Sequence, residues 1–399
     1  MKKKIIIINF SASLIQDDYM QLKNKQVKNK DIYYYSAQKE SLVAYLSSKF
    51  PKVHVELIGL NTSLTHRIRY HNKCRLVQLP NLNNPKVQII LFNLISFLYL
   101  FFKYKPSIIY AYTDGKLYPY LGALFYAKLL KVPFFIDFRN PPRSLRFDES
   151  TPSYKKIVIR MVDSICMRNS SRIIHISEKS KHLLESNPNL YEKSIVVPSC
   201  SQNAFTIRKR ENMKNKRLTF AYWGIIAKGR KLDIVIRGFA KAKTLNNKFD
   251  AQLFLIGTGD DLTHLKKLVQ ELNTPDIIFK DYMNQKELCE FLHKISVAVI
   301  PIPPEKFYQY SSPLKLAEAI TMGLPIIASN IEPHQIVKEH NLGIVCNHDE
   351  NSYARALLEF FGSSDLDRFR ENCNQVKYLF MPETVFKELG EEIEKIINE

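Results

Sequence analysis

Short apolar runs of strand type alternate with helical segments along both halves of the chain, and this order constrains the fold most. Residues 325–329 are one such run, of the kind found in parallel strands that are covered on both faces. Strands that alternate with helices predict parallel sheets. The predicted fold class is therefore α/β, with one doubly wound, Rossmann-like sheet in each half.

The individual elements follow from the same alternation. The predicted strands of the first half are residues 4–9, 54–58, 107–111, 134–138, 173–176 and 195–197. Those of the second half are residues 218–222, 252–256, 277–280, 297–300 and 325–328. The predicted helices include residues 36–49, 117–130, 232–242, 262–272, 285–294 and 382–398.

The chain has 399 residues, more than one hydrophobic core normally serves, so two domains are expected. Residues 199–216 are polar, basic and poor in aliphatic side chains, which is typical of a linker between domains. We expect the two domains to face each other across a cleft, because ligands of open α/β sheets bind at the carboxyl ends of the strands.

The net charge of +19 favours anionic partners, among them nucleic acid, anionic lipid and phosphorylated ligands. Charge alone does not choose among them. The sequence has no recognition-helix pattern, zinc-finger spacing or RNA-binding aromatic signature, so nucleic acid is not an expected partner.

Cysteine and histidine spacing predicts neither disulfides nor a metal site. The six cysteines lie far apart, as in a reduced protein, and the ten histidines show no pairing at ligand spacing. The apolar run at residues 5–8 is too short for a signal peptide, so the cytoplasm is the expected location.

Residues 87–102 are the one stretch that could be mistaken for a membrane span. A helix of this length extends about 24 Å, short of the roughly 30 Å hydrocarbon core. One interpretation is a buried helix. The other is that its aromatic face, flanked by Lys86, Lys103 and Lys105, contacts the inner face of an anionic membrane. A basic helix at residues 155–168 is a second candidate surface.

Residues 310–325 carry the strongest functional signal. Ser311, Ser312 and Pro313 are typical of a helix start, whose free N–H groups and dipole attract phosphate oxygens. Lys315 adds a positive charge in the same turn. Glu318 follows three residues later on nearly the same face, where it can accept hydrogen bonds from ribose hydroxyls. The pattern predicts a nucleoside diphosphate site.

This segment resembles the donor site of retaining nucleotide-sugar glycosyltransferases of the GT-B fold, family 4 (glycosyl transferases group 1). The similarity is greatest to the branch whose motif is Ser-Pro-x-Lys-x-x-Glu. Residues 221–230, 253–259 and 297–301 resemble the strands and loops that precede the motif in this family. The order and spacing of the four segments carry the resemblance.

The resemblance implies transfer of a sugar, with retention, from a nucleotide diphosphate-sugar to a hydroxyl of a glycan or lipid-linked acceptor in surface polysaccharide biosynthesis. It implies front-face attack, in which the leaving phosphate takes the acceptor proton, without cofactor or metal. Residues 1–205 with a crossover helix at 378–399 would form the acceptor-side domain. Residues 206–377 would form the donor domain.

The resemblance also assigns residues by role. The implied catalytic residues are Lys228, Arg230 and Arg139. The implied donor-binding residues are Gly224, Lys228, Arg230, Tyr282, Tyr310, Ser311, Ser312, Pro313, Lys315, Leu316 and Glu318. The implied acceptor-side residues are Asn9, Ser11, Asp137, Arg139 and Asn140.

Two alternatives stay open, and one of them comes from a departure from the family. Tyr310 stands where most relatives carry a first glutamate that contacts the donor sugar. The chain could therefore be a degenerate subunit that supports a partner transferase. It could also be a GT-B-like nucleotide-sugar 2-epimerase, although the sequence offers no convincing acid and base pair for that reaction.

Overall fold

A computed structural model describes residues 4–8, 37–60, 67–71, 74–79, 106–113, 121–139, 152–201, 205, 217–363 and 365–398. The chain forms two compact units: Met1–Pro198 with Val385–Glu399, and Ser199–Thr384. Asn9, Ser11, Asn140, residues 87–102 and most of the predicted linker at 199–216 lie outside the described residues.

The first unit contains an eight-stranded sheet in the order β3-β4-β2-β1-β5-β6-β7-β8. Its neighbours pair in parallel, except for the antiparallel pair β3 and β4 at one edge. The strands are β1 Lys4–Ile8, β2 His54–Leu60, β3 Arg67–His71, β4 Cys74–Leu79, β5 Ile108–Thr113, β6 Phe134–Phe138, β7 Arg172–His175 and β8 Ser194–Val196. β3 and β4 were not predicted, because charged residues interrupt their apolar pattern, as is common at sheet edges.

Five helices of the first unit precede its C-terminal helix in the described residues. They are α1 Ala37–Lys49, α2 Leu121–Leu130, α3 Ser153–Asn169, α4 Glu178–His182 and α5 Pro188–Glu192. Ala123 of α2 and Val162 and Cys166 of α3 share a buried cluster with the strand residues Ile109 and Ile136. The apolar faces of α2 and α3 are thus what fixes them to the sheet.

The chain from Val385 onward belongs to this first unit. The segment predicted as one helix at 382–398 is two, Pro382–Val385 and Lys387–Asn398. Between them, buried Phe386 packs on Tyr45 with ring centroids 5.5 Å apart. The Arg172 Nε donates to Glu392 Oε2 at 2.6 Å, so the last helix is held to the first unit by a partly buried ion pair.

The second unit contains a six-stranded parallel sheet in the order β11-β10-β9-β12-β13-β14. The strands are β9 Leu218–Trp223, β10 Ala251–Ile256, β11 Ile277–Lys280, β12 Val297–Ile300, β13 Ile326–Ser329 and β14 Gly343–Cys346. The helices are α6 Asp233–Leu245, α7 Leu262–Glu271, α8 Gln285–Leu292, α9 Leu314–Thr321, α10 Gln335–Glu339, α11 Glu350–Gly362 and α12 Leu366–Val376.

Alternate residues of β9 face two different cores. Phe220 and Tyr222 pack with α6 and α11 on one face of the sheet, whereas Ala221 and Trp223 pack with α8 and α9 on the other. This period of two is the pattern expected of a central parallel strand. It places Trp223, at the carboxyl end of β9, on the same face of the sheet as α9.

The order in which strands are added to this sheet reverses between β9 and β12, although all six strands run parallel. β10 and β11 extend from β9 on one side, and β12, β13 and β14 extend on the other. The carboxyl ends of the two strands that flank such a switch point are where open α/β sheets bind ligands. The fold therefore directs attention to the residues that follow Trp223 and Ile300.

Candidate functional site

Glycines shape the loops at the carboxyl ends of β9 and β10. Gly224 and Gly257 have positive φ angles of 121° and 139°. A β-carbon on Gly257 would come 1.9 Å from the Gly224 carbonyl oxygen, and one on Gly259 would come 1.9 Å from the Ile226 carbonyl oxygen. The Gly-Thr-Gly turn is therefore needed for close packing of the two loops.

Lys315 lies directly over Gly224. A β-carbon built on Gly224 would be 2.6 Å from both Cε and Nζ of the lysine. The Lys315 ammonium also sits 5.2 Å from the centre of the buried Tyr222 ring. No carboxylate of a described residue forms an ion pair with it. Lys315 thus extends from the start of α9 across the end of β9, with an aromatic face as its neighbour.

Arg230 brings a second positive charge to the same place. It ends the short 3-10 helix Lys228–Arg230, and its guanidinium lies 5.5 Å from the centre of the Tyr308 ring. Burial and the nearby Arg230 together lower the pKa of Lys315 to about 8, against a smaller opposing effect of Glu318. Two cations close enough to disfavour each other indicate a site prepared for an anion.

Glu318 is bound by the indole of Trp223. The Trp223 Nε1–H donates to Glu318 Oε2 at 2.7 Å, and only 8% of the glutamate is exposed. Burial raises the pKa of Glu318 to about 7, although the indole donor and Lys315 oppose that rise. Among the described residues, no donor to the second carboxylate oxygen, Oε1, is found. The protein therefore fixes Oε2, while Oε1 stays available to accept a hydrogen bond from a ligand.

The start of α9 is held from outside the helix. The Ser199 N–H donates to the Ser312 hydroxyl at 2.9 Å, and the Ser199 hydroxyl donates to the Ser312 carbonyl at 2.6 Å. Within the described part of the chain, the N–H groups of Leu314 and Lys315 have no acceptor. Free first-turn donors beside a lysine are what a phosphate group requires.

Three details of the predicted site are corrected by this geometry. Pro313 occupies the N-cap position and no side chain caps α9, so Ser311 and Ser312 are not its capping residues. The Ser311 hydroxyl donates instead to the Tyr308 carbonyl at 2.7 Å. Leu316, predicted to bind donor, is 3% exposed within an apolar cluster, so its side chain is part of the core.

The other residues predicted to bind the donor differ in how far they are exposed to solvent. Lys228 is exposed at the start of its 3-10 helix. Tyr310 ends the 3-10 helix Lys306–Tyr310, which also carries Tyr308, and is half-buried. Tyr282 follows β11 and is half-buried as well. Arg230, Gly224, Lys315 and Glu318 are thus the predicted residues that the structure brings together.

Asp137 and Arg139, predicted on the acceptor side, form a separate network in the first unit. The Arg139 Nε donates to Asp137 Oδ1 at 2.6 Å and its Nη2 donates to the Val197 carbonyl at 2.9 Å. The Tyr110 hydroxyl donates to the other oxygen of Asp137. Asp137 is fully buried, which corrects its predicted acceptor contact: its carboxylate holds Arg139 in place.

Several residues of the site were not assigned from the sequence. They are Trp223, Tyr222, Tyr308 and Ser199. A signal existed for Trp223, which is the single tryptophan of the chain and ends a predicted strand beside a glycine. The Ser199 contact had none, because Ser199 is far from Ser312 in the sequence.

Two further observations concern metals and membranes. Among the described residues, no group of three or more histidine, cysteine, aspartate or glutamate side chains could hold a metal ion. No helix in the described ranges is both long and apolar enough to cross a bilayer.

Comparison with known proteins shows what the second unit resembles. Residues 217–363 match the family model of Glycosyl transferases group 1, whereas no curated protein matches the chain. That match covers the strands and loops that build the site around Lys315 and Glu318. Over these residues the second unit is therefore similar to glycosyltransferase group 1 domains.

Solved structures resemble the chain over almost its whole length. Sucrose-phosphate synthase from Thermosynechococcus elongatus has a TM-score of 0.70 at 16% identity, covering 99% of each chain. Anabaena HepE in complex with UDP-glucose has a TM-score of 0.69 at 11% identity, covering 98% of this chain and 99% of that one. A trehalose-phosphate synthase from Burkholderia vietnamiensis has a TM-score of 0.69 at 10% identity, covering 99% of each chain. The predicted fold class, two Rossmann-like domains as in GT-B structures, is confirmed.

Proposed function

We propose that the protein is a retaining glycosyltransferase that moves a sugar from a nucleoside diphosphate-sugar to a hydroxyl of a glycan or lipid-linked acceptor. The observation that carries the proposal is the pairing of Lys315 and Glu318 on one face of α9. Both are largely removed from water, and neither forms an ion pair with a described residue. Buried charged groups are costly unless a partner meets them, and a nucleoside diphosphate supplies both kinds of partner.

The diphosphate would be met by three kinds of positive group. Lys315 and Arg230 supply full charges, and the free N–H groups at the start of α9 supply aligned dipoles. As the bond to the sugar breaks, negative charge accumulates on the leaving phosphate. Cations and dipoles fixed in advance stabilise that charge, which is the main catalytic effect we assign to this chain.

The ribose would be met by Glu318. A carboxylate oxygen without a donor can accept hydrogen bonds from the 2′ and 3′ hydroxyls of a nucleoside. The separation of Glu318 from Lys315 by one helical turn matches the step from phosphate to ribose. UDP is the first nucleotide to test, since HepE was solved with UDP-glucose.

Retention is proposed from the resemblance of the donor motif. In front-face attack the acceptor hydroxyl approaches on the side of the leaving phosphate, which takes its proton. This route needs no pair of carboxylates, only a leaving group held in place. NMR assignment of the anomeric configuration of the product tests it: the same configuration as in the donor supports it, and inversion contradicts it.

A thermal-shift screen tests the donor proposal. Uridine, guanosine, cytidine and adenosine diphosphates and their sugars would each be added to the full chain. A ligand that binds only the folded state raises the melting temperature. We expect one nucleotide series to do so, and Lys315→Met to abolish the shift. No shift with any series would favour the alternative of a degenerate scaffold subunit. Turnover of the nucleotide-sugar without acceptor would favour the epimerase.

An exposed apolar surface on the first unit supports a membrane as the place of the acceptor. Large side chains on two helices that share a core point to solvent. They are Phe125 and Leu129 of α2 and Tyr154, Ile157, Val158, Met161 and Ile165 of α3. We call this surface the α2–α3 face. The exposed Lys128, Arg160 and Arg168 lie on the same two helices. Apolar side chains with basic neighbours suit an anionic bilayer.

A second copy of the chain fits the α2–α3 face less well, because a two-fold contact uses the same patch on both copies and so brings two sets of Lys128, Arg160 and Arg168 into one interface. Sedimentation with vesicles of phosphatidylglycerol and phosphatidylcholine distinguishes the two. We expect binding to the mixed vesicles, loss of binding in Ile157→Glu/Met161→Glu, and no loss in Leu245→Glu, which changes an equally exposed leucine of the second unit. A dimer by light scattering without vesicle binding contradicts the membrane proposal.

A further inference from the structure

Trp223 presents its indole N–H to a carboxylate that the proposed function uses. The donor and acceptor atoms, Nε1 and Oε2 of Glu318, are 2.7 Å apart. Trp223 is 3% exposed and packs in the same apolar cluster as Leu316 and Ala319 of α9. The ring is therefore packed in the core, and its N–H donates to Glu318.

We propose that Trp223 is a positioning residue: its N–H fixes one oxygen of Glu318 so that the other faces the ribose of the nucleotide. This inference rests on the proposed function. It adds a role for a residue that contacts no substrate itself, and it explains why a tryptophan ends β9.

The surroundings of Glu318 leave few other groups for this role. From its own helix, Lys315 acts on it through charge, without an ion pair. The Thr321 hydroxyl donates to the Glu318 backbone carbonyl at 3.1 Å and not to its carboxylate. From β9, Trp223 is the donor to the carboxylate, and Arg230 acts on Lys315. Within the described ranges, the orientation of the carboxylate thus depends on the indole.

The chemistry of indole makes the bond stronger in one ionisation state. Indole N–H can donate but not accept, and both the carboxylate and the neutral acid can accept from it, so the two states differ in the strength of the bond. A hydrogen bond from a fixed donor to an ionised acceptor is stronger than one between neutral groups. Trp223 therefore favours the form of Glu318 that can accept from ribose hydroxyls.

The first test compares two ligands in Trp223→Phe, which keeps an aromatic ring and removes the N–H. UDP needs both Lys315 and Glu318, whereas inorganic pyrophosphate needs only the positive groups. We expect UDP affinity to fall about tenfold and pyrophosphate affinity to stay within about twofold. An equal loss for both ligands would mean that Trp223 only supports the shape of the pocket, which overturns the inference.

The second test needs no ligand and no substitution at Trp223. Because the chain has a single tryptophan, its fluorescence reports on this one indole. We expect emission of the free wild-type protein to change with pH around neutrality as Glu318 ionises, and Glu318→Gln to lack that transition. An unchanged transition in Glu318→Gln overturns the inference. If no nucleotide binds at all, the proposed function fails and the positioning role fails with it, while this titration still decides whether the indole holds the ionised carboxylate.

Discussion

Lys315 occupies the space that a side chain on Gly224 would need. A β-carbon there would lie 2.6 Å from two atoms of the lysine, in a backbone conformation with φ of 121°. The glycine that follows β9 and the lysine in the first turn of α9 are therefore complementary. Their contact joins the two elements that form the proposed diphosphate site.

The first prediction follows from that contact. Gly224→Ala strains the backbone and pushes Lys315 aside, so we expect about 1–3 kcal/mol lower unfolding free energy and weaker nucleotide binding. Chemical denaturation and calorimetry measure the two effects. Gly229→Ala is the matched control, because nothing lies within 4 Å of its added β-carbon and its φ is not positive. Equal behaviour of both variants would contradict the assigned contact.

The second prediction concerns the stability of the ligand-free protein. The pKa of Lys315 is lowered to about 8, mainly by burial and then by Arg230. The unfolded chain then binds more protons between about pH 8 and the ordinary lysine pKa, so stability rises with pH across that window. Lys315→Met should remove the rise and increase stability at pH 7. Urea denaturation from pH 7 to 10 measures this, with the exposed Lys294→Met as control.

The third prediction is the pH profile of donor affinity. Burial raises the pKa of Glu318 to about 7. This shift stabilises the ligand-free protein fully below the ordinary glutamate pKa, and the stabilisation is lost as pH rises through 7 and Glu318 ionises. The nucleotide-sugar itself titrates little near neutrality. We expect affinity to peak between the two pKa values of Glu318 and Lys315. Glu318→Gln should lose the acid limb and Lys315→Met the alkaline limb, as followed by calorimetry. A flat wild-type profile would argue against both groups.

The fourth prediction separates Arg230 from Lys228. Both were predicted to meet the diphosphate, but the structure places Arg230 beside Lys315 and Tyr308 and leaves Lys228 exposed. We expect Arg230→Ala to weaken UDP binding about tenfold and Lys228→Ala to weaken it less. Arg237→Ala, on the exposed side of α6, controls for loss of net charge. A larger loss for Lys228→Ala would reverse the assignment.

The fifth prediction concerns the network of Asp137 in the first unit. Arg139→Met leaves a fully buried carboxylate without its cation, which should lower the unfolding free energy by about 3–5 kcal/mol. The double variant Asp137→Asn/Arg139→Met should recover part of that loss. Denaturation curves of the wild type, Asp137→Asn, Arg139→Met and the double variant measure it. An additive double variant would mean that the two side chains do not depend on each other.

Sequence periodicity predicted several strands closely because they are mostly apolar. The bounds of β6, β11 and β12 agree with the predicted ranges, although β11 lies at an edge of its sheet. β14, at the other edge of that sheet, was not predicted, and its residues Gly343–Cys346 are only half-buried. The helix that carries Lys315 and Glu318 was predicted from its Ser-Ser-Pro start. Its true N-cap, Pro313, could not be inferred, because the Ser312 hydroxyl accepts a hydrogen bond from the distant Ser199 N–H and does not cap the helix.

The site was predictable where a short motif carries it. Lys315 and Glu318 share one helix, so their spacing alone put them on one face. Trp223 and Tyr308 reach the site from β9 and from a 3-10 helix, and contacts between distant segments leave no local pattern in the sequence.

The central claim is that Lys315 and its neighbours bind the diphosphate of a nucleotide. Calorimetric titration of the full chain with UDP, and with the three other nucleoside diphosphates, tests it most directly. We predict that wild type binds one of them and that Lys315→Met binds the same nucleotide at least about tenfold more weakly. Equal affinity of wild type and Lys315→Met, or no binding of any of the four by wild type, would contradict the claim.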